Sequence, residues 1–268
     1  MEIYTDFAMF YDHFMDDVPY DEWGEFIREQ LLTYGVQEGR TTDNLQDDEP
    51  VKLPLVLDLG CGTGVMTERL ASYGYDMIGI DSSTAMLEIA KNREGSSHHN
   101  ILYLLQDMRE FELYGSVTAV VCACDTINYI LKLAELKQVF RLVNHYLDPG
   151  GLFIFDFNTD YKYQEVIGNQ TIGENRGDKS FIWENYYYVE ERINEIELSL
   201  FVKEDKGESA RGELYRKYVE THHQRAYHLE EIKEALEEAG LELIKAYDDY
   251  TCEEVHQESQ RVVVVARN

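Results

Sequence analysis

The chain has 268 residues, enough for one α/β domain with a sizeable insertion and a buried core. Its 24 Lys and Arg stand against 52 Asp and Glu, a formal net charge of -28 without a basic tract, which argues against nucleic acid or an anionic membrane as partner. The four cysteines, Cys61, Cys122, Cys124 and Cys252, contain no C-x-x-C pair, and neither a signal core nor a run of about eighteen apolar residues occurs, so a soluble, cytoplasmic protein without a metal is expected.

In chain order, Tyr4, Phe7, Ala8, Tyr11 and Met15 recur at helical spacing and give the first segment an apolar, mostly aromatic face. A second helix is expected from Asp21, just behind Pro19, to Tyr34, with Trp23, Phe26, Ile27 and Leu31 on one side and Gly35 as its stop. Residues 37–50 are polar, acidic and aperiodic, as a loop would be. The run L-V-L-D-L-G-C-G-T-G at 55–64 then reads as strand and tight turn, with a helix over 65–72. Gly60 lets the chain reverse off the strand, and Gly62 leaves room for a ligand against the backbone and the helix amides. The plain alternative is an ordinary glycine-rich turn. A dinucleotide frame, G-x-G-x-x-G, would place its last small residue at Val65, whereas the third glycine is Gly64. After Gly74, residues 77–80 form a second strand that ends in Asp81, whose carboxylate can accept hydrogen bonds from both hydroxyls of a ribose.

Asp58, the G-x-G-x-G turn and Asp81 together resemble the first two motifs of the class I S-adenosylmethionine (SAM) dependent methyltransferases. That resemblance implies SAM as cofactor, held on Gly60, Cys61, Gly62 and Asp81. The opening Y-x-x-F-A-x-x-Y-D is also similar to the leading helix of bacterial small-molecule methyltransferases, which closes over the cofactor; this implies Tyr4 and Tyr11 at its methionine end. The same residues otherwise read as a core-facing stripe.

Ser82 and Ser83 precede a helix through Met86, Leu87 and Ile89 to about Arg93, and Ser83 reads as its N-cap. The resemblance adds Ser82 and Met86 beside the ribose and adenine. Residues 101–105 form a third strand, after which the resemblance implies Asp107 on the adenine amino group and Met108 against the ring. Without it, Asp107 is an exposed turn acid. Residues 117–123 are a continuous apolar run, a central parallel strand, and Cys122 and Cys124 read as small buried residues on one of its faces. The following Cys124-Asp125-Thr126-Ile127-Asn128-Tyr129 corresponds to the family's fourth motif, with Asp125 toward the cofactor's amino group and Asn128 or Tyr129 toward the acceptor, or with both of the latter in a mere turn. It lacks the [DNS]-P-P-[YFW] of the amide methyltransferases that act on DNA, which argues against a nucleobase amine.

Leu136, Val139, Phe140, Val143, Tyr146 and Leu147 form a helix stripe, closed by Asp148-Pro149-Gly150-Gly151 before a strand at 152–157. The pattern then changes to period-two alternation over 181–188, 193–202 and 214–223, an antiparallel lid whose aromatic residues could wall an acceptor pocket or simply form sheet. A helix over 227–239, stopped by Gly240, and strands at 241–247 and 262–266 complete the chain.

The expectation is therefore an α/β, doubly wound, mostly parallel sheet; the resemblance implies seven strands with the last one antiparallel, and a β lid inserted before the final helix. Residues 1–159 would be the SAM-binding core, 160–226 the lid and 227–268 the rest of the core. The reaction would be methyl transfer to nitrogen or oxygen of a small-molecule acceptor. A non-catalytic SAM-binding sensor or scaffold, or a nicotinamide-dependent oxidoreductase, stand as alternatives. Aligned, desolvated encounter is expected to dominate over acid–base chemistry. The candidates to hold or deprotonate the acceptor are Tyr11, His222 and His223, the two histidines facing opposite ways on one strand. The lid is expected to lie apart from the cradle, so that its removal would leave SAM affinity nearly unchanged.

Overall fold

A computed structural model describes residues 7–39, 53–93, 101–204 and 213–268. In order these form α1 (Ala8–Phe14), α2 (Tyr20–Thr33), β1 (Leu55–Leu59), α3 (Val65–Ser72), β2 (Asp76–Asp81), α4 (Thr84–Asn92), β3 (Leu102–Leu105), β4 (Val117–Cys122), α5 (Leu133–Tyr146), β5 (Leu147–Asn158), β6 (Thr171–Arg176), β7 (Lys179–Tyr188), β8 (Ile193–Lys203), β9 (Tyr215–Arg225), α6 (Leu229–Ala239), β10 (Glu242–Asp248) and β11 (Arg261–Arg267). A 3₁₀ turn at Thr126–Tyr129 and a π-helical turn at Lys162–Ile167 lie between them.

Strands buried on both faces must sit inside a sheet, and β1 and β4 pair in parallel at its centre. The sheet has seven strands in the order β10-β11-β5-β4-β1-β2-β3. All run parallel except β11, which is antiparallel to both β10 and β5. Leu136, Val139, Phe140 and Val143 of α5 and Ile232, Ala235 and Leu236 of α6 bury against one face. Trp23, Phe26, Ile27 and Leu31 of α2 with Met66 and Leu70 of α3 cover the other. The chain leaves β1 toward β2 on one side while β4 lies on the other, so the turn after β1 opens at the switch point where ligands of such sheets bind.

The lid is a separate four-stranded antiparallel sheet, β6-β7-β8-β9. Its apolar alternation buries Ile196, Leu198 and Leu200 of β8. Strand β6 was not expected from the sequence. Thr-Ile-Gly-Glu-Asn-Arg is an edge strand exposed along most of its length, so no buried face imposes an alternation, and its central glycine suggests a turn. Two further readings need correction. Strand β4 ends at Cys122, and Cys124 is not on it: Cys124 and Asp125 take left-handed backbone with φ of 60° and 48°. Strand β5 starts at Leu147, which pairs with Val117 before the Asp148-Pro149-Gly150-Gly151 segment, rather than after it. No helix among the described residues is long and apolar enough to cross a membrane.

Candidate active site

The turn after β1 opens into a cavity of about 890 Å³ at the carboxyl ends of β1, β2, β3 and β4. The amides of Gly60 and Cys61 bond to the Ile80 carbonyl at 2.7 and 2.9 Å, which presses the turn onto the end of β2. A Cβ on Gly60 would collide with the Thr126 methyl, whereas one on Gly62 would meet no atom within 4 Å. Gly60 is thus required by packing, and Gly62 by the bare backbone it offers to the cavity at φ +54°. Asp81 accepts from the Gly62 amide at 2.9 Å and the Ser83 amide at 2.8 Å, so its carboxylate is aimed before any ligand arrives. Burial raises its pKa, and those amide bonds oppose the shift. Beneath the turn Asp58 is buried and accepts from Thr67 Oγ1 at 2.6 Å. Burial, opposed by that bond and assisted by the Asp81 charge, pushes Asp58 up to about 7.

Most of the residues expected around the cofactor line this cavity: Tyr11, Gly60, Cys61, Gly62, Asp81, Ser82, Met86, Asp107 and Met108. The Cys61 side chain packs among Leu87, Ala90 and Tyr103. Ser83 caps α4 as expected, accepting from the Met86 amide at 3.2 Å. The Asp107 carboxylate accepts from the backbone amide and guanidinium of Arg109, which holds it below the usual carboxylate range. Tyr4 lies outside the described residues.

Asp125 does not line the cavity. Gln224 donates to one of its oxygens at 2.7 Å and Arg261 to the other at 3.3 Å, so the carboxylate locks the loop to the lid and to β11. Asn128, fully buried, likewise bonds the Arg225 and Asn158 carbonyls and the Asn158 amide at 2.7 to 3.0 Å. Tyr129, by contrast, reaches the cavity. The histidines divide as their strand requires: His223 stands at the cavity wall, 3.0 Å from Glu195, and His222 is buried behind Tyr129, its Nδ1 3.3 Å from that hydroxyl. Burial, with Tyr20, Cys124, Asp125 and Tyr129 around it, holds the Tyr11 phenol well above its ordinary value.

Sequence reasoning missed Tyr20, Cys124 and Thr126 as cavity residues, and missed what holds α1 in place. Asp12 accepts from Thr63 Oγ1 and from Arg93 Nη2, both at 2.6 Å, while Arg93 Nε donates to the Thr63 carbonyl at 2.9 Å. The far side of α1 belongs to the lid. The Phe7 amide donates to Glu220 at 3.1 Å, Phe14 stands edge-on to Phe181 at 5.0 Å, and Arg176 bonds the His13 carbonyl, Asp16 and Asp17. Helix α1 is therefore a strut between the glycine turn and the lid. A signal existed in the Y-D pair of the opening motif, but its partners are far along the chain.

Residues 56–151 match the model of the methyltransferase domain family. Over 266 residues, 99% of this chain and 97% of the relative, the sequence is 34% identical to Bacillus subtilis (strain 168) YqeM, a protein named as a methyltransferase. A crystal structure of a SAM-dependent methyltransferase from Clostridium acetobutylicum ATCC 824 superposes with a TM-score of 0.82 at 27% identity, covering 99% of each chain. A shorter match, 32% identical over 101 residues (38% of this chain and 39% of the relative), is to a dTDP-4-amino-2,3,4,6-tetradeoxy-D-glucose N,N-dimethyltransferase of Saccharopolyspora spinosa. The chain belongs to the class I SAM-dependent methyltransferases, and its cofactor is SAM.

Proposed function

We propose that the protein transfers the methyl group of SAM to a nitrogen or oxygen of a small-molecule acceptor, an amino sugar being the first class to test. The observation that carries this is the continuity of one cavity from Asp81, Met86 and Asp107 to Tyr129, Thr221 and His223 of the opposite wall. Its volume, about 890 Å³, lies in the upper part of the roughly 300–1,000 Å³ range of small-molecule sites. The amino-sugar class is supported by the name of the Saccharopolyspora relative.

The cradle fits the cofactor: bare backbone at Gly62, an aimed carboxylate at Asp81 for two hydroxyls, and Met86 and Met108 as apolar walls. When bound, SAM supplies a sulfonium methyl that an acceptor lone pair takes directly, the carbon–sulfur bond breaking with its electron pair left on sulfur. The chain's own residues then have three tasks. Gly60, Gly62 and Asp81 fix the cofactor. Helix α1 and the lid exclude water, and Tyr11, Tyr20 and Tyr129 border the acceptor. Alignment of this kind can supply roughly 7–11 kcal/mol of the barrier.

The test is mass spectrometry of amino sugars, primary amines and phenols incubated with SAM and the protein. The expected result is S-adenosylhomocysteine together with a singly methylated amine or hydroxyl. Methylation only of a macromolecule, with none of the small acceptors modified, would contradict it.

A further inference from the structure

We propose that Tyr129, His222 and Glu220 form a path for the proton that the acceptor must lose, Tyr129 touching the acceptor and the other two acting through it. The inference rests on the acceptor reading above and specifies a base for it. Tyr129 borders the cavity from the 3₁₀ turn. Its hydroxyl is 3.3 Å from His222 Nδ1, and the two rings meet edge to face at 71°. His222 Nε2 lies 3.4 Å from Glu220 Oε2, the side chains being 4% and 9% exposed. The other Glu220 oxygen accepts the Phe7 amide at the start of α1.

Glu220 and His222 pair with Leu198 and Ile196 of β8, on the inward face of the lid sheet, which also buries the polar Asn185, Asn194 and Gln224. Burying a carboxylate and an imidazole there is costly unless each has a polar partner. The order Tyr, His, Glu has one consistent polarity. In the proposed path the negative Glu220 carboxylate, at ion-pair distance from Nε2 rather than within a hydrogen bond, favours the tautomer with its proton on Nε2, in which Nδ1 accepts from the Tyr129 hydroxyl. When the acceptor forms its new bond to the methyl carbon, its proton passes to Tyr129 Oη as the Tyr129 proton passes to His222 Nδ1. The imidazolium so formed is balanced by Glu220, and the proton leaves to solvent after product release. Because the Phe7 amide fixes Glu220, the path is complete only with α1 seated. His223, 43% exposed and paired with Glu195, makes no such chain.

Nitrogen-15 NMR of histidine-labelled protein, alone and saturated with SAM, reads the tautomer without any acceptor. The expected result is a neutral His222 protonated on Nε2, with an Nδ1 shift that changes in Tyr129→Phe. A proton on Nδ1, or a shift indifferent to Tyr129→Phe, would overturn the path. The second arm follows S-adenosylhomocysteine release with a panel of primary amines, amino sugars and phenols. Tyr129→Phe and His222→Asn should each lower kcat by about 10²- to 10⁴-fold, with SAM affinity within about threefold. Their double variant should lose no more than the worse single, since the residues act as a unit. Glu220→Gln, which keeps an oxygen for the Phe7 amide, should lower kcat by about tenfold. An unchanged kcat in Tyr129→Phe, or losses that multiply, would overturn the path while leaving the methyltransferase reading intact. A wild type that binds SAM but releases no product with any panel member would count against the small-acceptor reading, and the NMR arm would still decide the path.

Discussion

Asp58 is 2% exposed, with Thr67 as its hydrogen-bond donor and the Asp81 charge close by. Its pKa of about 7 in the folded protein exceeds the roughly 3.9 of an unfolded aspartate, so between these values the native state binds a proton that the unfolded chain does not. The stability from this group is fully present below about pH 4 and is lost as pH rises through about 7. Asp58→Asn, which retains an acceptor for Thr67, should therefore lose less stability between pH 5 and pH 8 than the wild type. Denaturant unfolding of the unliganded proteins at both pH values checks this; parallel losses would refute the assignment. Asp58 and Asp81 were legible in the sequence because their roles depend on local spacing around a glycine turn. Asp125 was not, since the groups that occupy its oxygens, Gln224 and Arg261, lie 99 and 136 positions away.

Helix α1 has seven residues, too short to be stable on its own, and its position depends on both of its flanks. Toward the cradle the Asp12, Thr63 and Arg93 contacts are partly exposed, so they are worth less than a buried charged network. Replacing Asp12 by Ala should cost roughly 1–2 kcal/mol of SAM binding, about five- to thirtyfold in affinity, and should raise amide exchange over residues 8–14. Titration calorimetry and hydrogen exchange would check this together. Unchanged SAM affinity would mean that α1 merely packs near the site. The aromatic stripe announced this helix, and the apolar runs announced β1, β4 and β5, because burial imposes periodicity on a sequence. Strand β6 escaped for the converse reason, being an edge strand with little buried surface.

At the scale of the molecule, the alternation over β7 to β9 revealed a second sheet but not its attachment. Gln224 and Arg225 at the end of β9 hold the loop after β4 through Asp125, Asn128 and Leu131, while Arg176, Phe181 and Glu220 hold α1. The lid is thus bound to the cradle at two points. Replacing residues 179–224 by a short loop should abolish methyl transfer and, contrary to the expectation from sequence, weaken SAM binding by more than about tenfold, because one attachment loses Gln224 and the other loses Phe181 and Glu220. Calorimetry on the shortened protein is the check, and affinity within a few fold of wild type would show the two sheets to be independent.

The central claim is that one cavity, at the switch point of the parallel sheet and beneath α1, holds the cofactor and receives the acceptor. A crystal structure of the S-adenosylhomocysteine complex tests it most directly. The account predicts the ribose hydroxyls on Asp81, the adenine beside Met86, Asp107 and Met108, and the sulfur facing Tyr11 and Tyr129 with α1 closed over it. A product bound away from Asp81, or an α1 displaced so that the sulfur lies open to solvent, would contradict it.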